Sequence, residues 1–593
     1  MIMYKMRMMN FNKKVVAIVV VALLATGSWS CKKEDNESPE DKLDLSNAYQ
    51  NSTDADAAVI GIYGQFLGLH KTFTLQNELR ADLVDVTTNA DADLKALGNH
   101  TNIKGNSYAD PRPYYTVILN CNDALKNFKI MVRDRKMSVD DYNKHYSDIG
   151  ALRSYIYLQL GIQFGSIPYI TEPIENVEDV KNLSNFPRIT FDQLLDNLIA
   201  FTEALPYKEV YSYPTGNPLV VTIDGSSSQK IFICKPAILA DLYLWKDNYV
   251  KAAENYIKIL DIENNNSNIN ISFNTYKVGY YAGGATYDPY SDNAVRYSKS
   301  QDESGLVTDA GWRNIFTLAN TISTYNTEWI WGMPYNSSYK PGNPMFELCS
   351  PQYGKYLIKP SQAVIDLWNA QRQYNGIPYD ARGRLSYTTT ASGPVITKLT
   401  DNSGIASAFN KGGKWGLYRA GQLHLRYAEA ANRDGKGKLG WALLNTGIAS
   451  TFYVGTRSST GAPAPVSFDE INTMITPYAA PFLLDARSNG DYKSPWYRNT
   501  GVRNRAGVTS LDASLQTDML GLEGKLIDES ALETAFEGNR WPDLVRIARR
   551  QNNPAFLADR VYQKLLKAGD PNASATRAKL MNPANWYLPF DWK

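Results

Sequence analysis

Apolar residues along most of this chain recur at helical spacing. Val59, Ile62, Tyr63 and Phe66 fall at i, i+3, i+4 and i+7, one face of a helix that Asp54 is placed to cap. Ile149, Leu152, Ile156 and Leu160 repeat the spacing until Gly165 and Pro168 stop it, and Phe191 to Ala204 reads the same way up to Pro206. Strand-like pieces are short, as at Trp329-Ile330-Trp331. The pattern predicts a mainly α fold with few short strands.

The clearest unit runs through Leu239, Ala240, Tyr243, Tyr249, Ala252, Tyr256 and Ile259, whose spacing matches a tetratricopeptide pair. Small Ala240 and Ala252 let two antiparallel helices approach, Tyr249 and Tyr256 fill the groove towards the next pair, and Asp247-Asn248 makes the turn. A second pair is predicted from Leu423 through Ala428 and Ala430 to Ala442, Leu443 and Asn445, with a longer turn at Asp434-Gly435. Such pairs cannot bury their faces alone, so other helices must stack on them.

Between the pairs the texture changes. Residues 264–350 are full of Asn, Gly, Ser, Tyr and Trp and read as long irregular loops carried by the helical scaffold, the kind of loop that hosts function. Tyr280, Tyr281, Tyr287, Tyr290 and Trp312 cluster there near Gly283-Gly284 and Asp288-Pro289. Large rings in such a loop are candidates for a ligand site built on aromatic stacking. The competing reading is that they pin the loop to the scaffold.

The first thirty residues carry Lys5, Arg7, Lys13 and Lys14, no acid, and the apolar run Val15 to Ala25. This is the form of a signal peptide, and the run is far short of the ~20 residues that span a bilayer. Ser28-Trp29-Ser30-Cys31, followed by Lys32-Lys33-Glu34-Asp35, resembles a lipobox, in which Cys31 takes a diacylglycerol and becomes the first mature residue. A plain secreted protein cut near Ser30 is the alternative. The expected organisation is therefore a signal at 1–30, a lipidated polar tether at 31–53, an N-terminal helical region at 54–270 and a C-terminal region at 271–593.

Loss of the four signal cations turns the formal +2 of the whole chain into −2, too little positive charge to hold nucleic acid. Cys121, Cys234 and Cys349 are an odd number at wide spacing, neither a disulfide framework nor a zinc site, and His70, His100, His145 and His424 show no ligand spacing. Gly435-Lys436-Gly437-Lys438-Leu439-Gly440 fits G-x-G-x-x-G but follows a predicted helix, where a dinucleotide fingerprint needs a strand. No cofactor or metal is expected. A glycosidase needs only two placed carboxylates, so an enzyme stays open as a minor alternative, as does a scaffolding lipoprotein. Glu529, Glu533 and Glu537 share one helix face and read as a solvated stripe paired to arginines such as Arg540, and Arg503 and Arg505 as surface ion pairs.

Several stretches resemble, in order, the SusD/RagB lipoproteins of Bacteroidetes. They are Gly150-Ala151-Leu152-Arg153-Ser154-Tyr155 running into Gln163-Phe164-Gly165-Ser166-Ile167-Pro168, then Leu425-Arg426-Tyr427-Ala428-Glu429-Ala430, then Glu537-Gly538-Asn539-Arg540-Trp541-Pro542-Asp543-Leu544-Val545-Arg546, and near the end Trp586-Tyr587-Leu588-Pro589. Phe590-Asp591 departs from the usual Ile-Pro ending. The resemblance implies a SusD-like fold with tetratricopeptide-type helix pairs and no enzyme activity. It implies a lipoprotein of the outer membrane, facing outwards, that binds oligosaccharides and delivers them to a SusC-like TonB-dependent transporter. RagB-like members imply peptide as the alternative ligand. It also implies a ligand contribution from the stretch Asn99 to Tyr115, as a region and without residue roles.

Overall fold

The computed structural model describes residues 49–592, apart from 102–103, 175–185, 224–225, 261–311, 313, 318–328, 336–339, 375, 401–412, 453–474 and 485–500. Cys31, Tyr280, Tyr281, Tyr287, Tyr290 and the expected boundary at 270/271 lie outside the described residues. Asn51–Lys593 forms one compact unit. Among the described residues no helix is long and apolar enough to cross a membrane.

Helix α1 (Ser52–Leu67) buries the expected face, Val59, Ile62, Tyr63 and Phe66. Its cap is Asn51, whose side chain accepts from Thr53 and Asp54 N–H, while Asp54 accepts from the Asn51 N–H in return. Asp54 is thus the third helical residue of a capping box and not the cap. Helices α2 (Arg112–Arg133) and α3 (Val139–Phe164) form an antiparallel pair beside it. Nearly every residue of α3 from Ser147 onwards is buried, because α1, α2 and α4 (Phe191–Glu203) pack around it. Gly161 permits the closest approach: a Cβ there would stand 2.5 Å from Leu194 and 2.7 Å from Phe191 of α4. Gly165 ends α3 at φ +69°, a conformation that suits glycine, with the Tyr587 ring packed against it.

The first predicted pair is α5 (Lys235–Trp245) with α6 (Tyr249–Leu260). Ala240 and Ala252 are fully buried at their contact, and Asp247 turns the chain at φ 57°. Tyr256 is fully buried and donates to Asp241 across the pair (2.5 Å), while half-buried Tyr249 reaches onwards to Arg433 and Arg550. The second pair is α7 (Ala420–Arg433) with α8 (Gly437–Leu444), and it packs directly on α6. The G-x-G-x-x-G run is therefore the turn at Gly435-Lys436 and the first residues of α8. Helix α9 (Met519–Thr534) covers the second pair, and α10 (Arg540–Arg550), α11 (Ala555–Lys567) and α12 (Ala573–Leu580) continue the series, each packed on the one before.

Strands are short, as expected, and the described residues hold five two-stranded antiparallel ladders; two of them join distant segments, β1 (Val84–Val86) with β3 (Ile358–Pro360) and β2 (Trp329–Tyr335) with β4 (Gly413–Arg419). The β2–β4 ladder closes an aromatic core. Phe66 stacks on Trp331 and Trp415 at 5.7 and 4.9 Å, His70 stacks on Trp415 at 4.7 Å, and Tyr155 meets Trp331 edge-on at 4.8 Å.

Candidate functional site

Glu529 and Glu533 stand one turn apart on α9, and Glu537 lies within the turn, between Phe536 and Gly538, both at positive φ. This stripe is not solvated, contrary to expectation. Glu533 is wholly buried and the side chains of Glu529 and Glu537 nearly so, inside a cluster of cations from four segments distant in sequence, at Arg382, Lys398, Arg419 and Arg503–Arg505. Arg382 donates to Asp380, to Glu529 (2.7 Å) and to Glu533 (2.6 Å); Arg419 bonds Glu533 (2.8 Å) and both oxygens of Glu537. Arg505 reaches Glu533 at 2.8 Å and Arg503 reaches Glu529 at 3.1 Å, so this pair of arginines is also internal and not on the surface. Arg540 does not join the stripe; it forks onto Asp82 at 2.6 and 2.7 Å. Neighbours this far away in sequence are invisible to a helical-face argument.

The electrostatics follow from crowding. Burial pushes the Glu533 carboxyl up, but Arg505, Arg419 and Arg382 overcome it and hold the group well below the usual carboxylate range. Lys398 is buried too, which brings its ammonium down to about 8 although Glu537 lies 2.6 Å away.

Trp312 and the short helical turn after it sit on this cluster. Trp312 is fully buried, donates its indole N–H to Glu533 (3.1 Å), and packs on Phe316 with Lys398 Nζ 5.0 Å over its ring. Lys398 also sits 4.7 Å over Phe316, in the turn Asn314–Thr317, and Trp329 ties the next strand to that turn by donating to Ile315 O at 2.8 Å. Of the five rings singled out in the sequence, Trp312 alone falls among the described residues, and there it is a packing residue with no exposed face.

The other motifs meet one another. Arg426 and Glu429 on α7 engage Asp241 of α5 and Arg546 and Arg550 of α10, the Glu429–Arg546 pair being bidentate at 2.9 and 2.7 Å. Burial raises the Glu429 carboxyl, yet the two arginines bring it down to about 2. Glu78 enters from the N-terminal half to accept N–H groups of Phe536, Gly538, Asn539 and Arg540 at the start of α10. A narrow cleft lies between these charges and the aromatic core, lined by Phe73, Tyr155, Trp415, Asp241, Arg426 and Asn539. All six are buried, so the cleft is an internal junction and no groove for an oligosaccharide.

In the stretch Asn99 to Tyr115, Tyr114 and Tyr115 are buried and Tyr108 is half-buried. The Tyr108 ring is held on a turn that Asp91 and Asp93 clamp: Tyr108 donates to Asp91 (2.8 Å), and Ser107 donates twice to Asp93. Cys121, Cys234 and Cys349 are free and buried, and burial pushes the first two thiols up to about 12. Among the described residues no group of three or more His, Cys, Asp and Glu is placed to hold a metal.

Comparison with known proteins places this architecture. The sequence model of the SusD family matches residues 245–589. A SusD superfamily protein from Bacteroides thetaiotaomicron shares the fold at TM-score 0.54 and 17% identity, over 91% of this chain and 95% of its own. Surface glycan-binding protein A from Bacteroides uniformis gives 0.56 at 16%, over 91% and 96%, and a SusD-like carbohydrate binding protein from Bacteroides fragilis gives 0.54 at 14%, over 86% and 88%. No curated protein matches. The tetratricopeptide pairs, the motifs that join them through buried ion pairs and the match over most of the chain agree: this chain belongs to the SusD family.

Proposed function

We propose that this protein captures oligosaccharides at the cell surface, held to the outer membrane through Cys31, and delivers them to a SusC-like TonB-dependent transporter. The observation that carries the reading is the packing of Trp312 and the turn after it. Trp312 donates to buried Glu533, Lys398 lies over both Trp312 and Phe316, and Trp329 donates to Ile315 O beside them. Sugar binding by stacking needs rings held in place before the ligand arrives. Two of the solved structures with this fold carry glycan- or carbohydrate-binding names, which supports the same ligand class. Tyr280, Tyr281, Tyr287 and Tyr290 are the proposed platforms, with Tyr108 as a further one, clamped from below by Asp91. Trp312 anchors the loop and does not touch the ligand.

A glycan and peptide binding screen on the purified protein is the test. Oligosaccharide binding without new reducing ends is the expected result; peptide binding alone or bond cleavage would overturn it. Replacing Tyr287, Tyr290 or Tyr108 by Ala should each weaken the bound glycan by about 0.5 to 1.5 kcal/mol, roughly two- to tenfold, at unchanged thermal midpoint. Unchanged affinity in all three would remove the aromatic platform.

A further inference from the structure

The entry point of the tether can be located from contacts between the first three helices. Asn120 in the middle of α2 donates to Gln65 near the end of α1 (2.5 Å), while Asp56 at the start of α1 accepts from His145 in the second turn of α3 (2.7 Å). His145 in turn lies against Phe128, two turns from the end of α2. Helix α1 therefore runs antiparallel to α2, and Asn51 stands at the same end of the protein as the α2–α3 tip, residues 134–138.

That tip is basic. Lys126, Lys129, Arg133, Arg135 and Lys136 are all exposed, and over residues 126–144 six cations, with Lys144, stand against the three acids Asp134, Asp140 and Asp141. Next to them Val139 is 65% exposed, the most exposed large apolar side chain among the described residues. The neighbouring charges are accounted for: Arg133 pairs with Asp134 (2.8 Å), Lys144 with Asp140 (2.6 Å), Asp141 is held by Ser138, and Lys129 lies 5.3 Å over the Tyr146 ring. An excess of exposed cations next to an exposed apolar residue fits a lipid–water interface, where ammonium and guanidinium groups meet phosphates while the apolar side chain dips below them.

We propose that the α2–α3 tip, with Lys129, Arg133, Arg135 and Lys136 at the end of α2 and in the turn and Val139 at the start of α3, is a docking surface for anionic lipid headgroups. The inference rests on the reading of Cys31 as the lipid anchor. Twenty residues separate Cys31 from Asn51, a reach of at most about 70 Å. A diacylglycerol anchor on such a leash brings the tip back to the bilayer at high effective concentration, so modest charge attraction is enough to orient the body. The tip then sets which face is turned to the membrane and which outwards.

The test uses the mature chain with Cys31→Ser, so that no acyl group contributes, sedimented with vesicles of equal parts phosphatidylglycerol and phosphatidylcholine or of phosphatidylcholine alone. Binding to the anionic vesicles at low salt, lost at high salt, is expected. The triple variant Lys129→Gln, Arg133→Gln, Arg135→Gln should lower the partition about a hundredfold, at roughly fivefold per cation, and Val139→Ser a few-fold, both with unchanged thermal midpoint. Equal binding to both vesicle types, or a triple variant that binds like its parent, would overturn the proposal. So would indifference to anionic vesicles in a chain that binds an acidic protein through the same tip. Loss of membrane attachment in cells carrying Cys31→Ser tests the anchor separately, so the two readings fail independently.

Discussion

Around Phe66 the protein is packed ring on ring, with Trp331, Trp415, Phe73, His70 and Tyr155 in mutual contact; around Glu533 it is packed charge on charge, with Arg382, Arg419 and Arg505 on one carboxylate. The two regions constrain sequence differently. A ring can be exchanged for another apolar group of similar volume at small cost, because dispersion and burial do not depend on one partner. A buried carboxylate cannot lose its guanidinium, because the remaining charge stays in a medium that solvates it poorly. This accounts for where the recognisable motifs fall. Arg426, Glu429, Glu537, Arg540 and Arg546 are all members of buried ion pairs.

The comparison breaks first, if it breaks, at Glu533. Glu533→Ala leaves three buried guanidiniums around an empty position and should cost about 5 kcal/mol or more, seen as failure to accumulate folded protein or as a collapsed denaturation midpoint. A loss of under about 1 kcal/mol would mean that the cluster holds nothing. Next comes Arg546→Met, which leaves Glu429 with Arg550 as its remaining partner; about 3 kcal/mol should be lost.

The Glu429 carboxyl also sharpens the contrast through pH. Its folded value of about 2 lies below the unfolded 4.5, so its contribution is complete above about pH 4.5 and fades as pH falls from there towards 2. Thermal midpoints measured across that window should drop in the parent and drop less in Arg546→Met, where part of the contribution is already gone. The smallest effect belongs to the aromatic side: Trp415→Phe should cost less than about 1.5 kcal/mol. A loss equal to that of Arg546→Met would show that the rings are as exacting as the charges.

Helices were legible in the sequence because each buries one face, and the spacing of Val59, Ile62, Tyr63 and Phe66 or of Ala240 and Ala252 reports that face directly. The cap of α1 was displaced by three residues because Asn51 and Asp54 are both competent acceptors, and only backbone conformation separates the cap from its reciprocal partner. The Glu529–Glu533–Glu537 stripe was misread for a stronger reason. Local periodicity states which residues share a face and says nothing about which cations arrive there from residues 382, 398, 419, 503 and 505. Trp312 shows the same limit, since a tryptophan in a polar loop looks like a platform until the Glu533 that receives its N–H is known. Tyr108 gave a weak signal, an aromatic followed by Ala-Asp-Pro in a turn, and its clamp by Asp91 and Asp93 appeared only in three dimensions.

Gly165 and Tyr587 carry a consequence for the order in which the chain is made. The last residues close the first half: Tyr587 packs on Gly165, Leu588 N–H donates to Gln163 O (2.7 Å), Trp586 O accepts from Arg80, and Trp592 meets Phe164 and Tyr115. Helix α3 is synthesised more than four hundred residues before the segment that covers its end. The N-terminal half therefore leaves the ribosome with its closing contacts still unmade, and such long-range closure is slow to form. The consequence is one of timing: the end of α3 is covered only after residues 586–592 have been made.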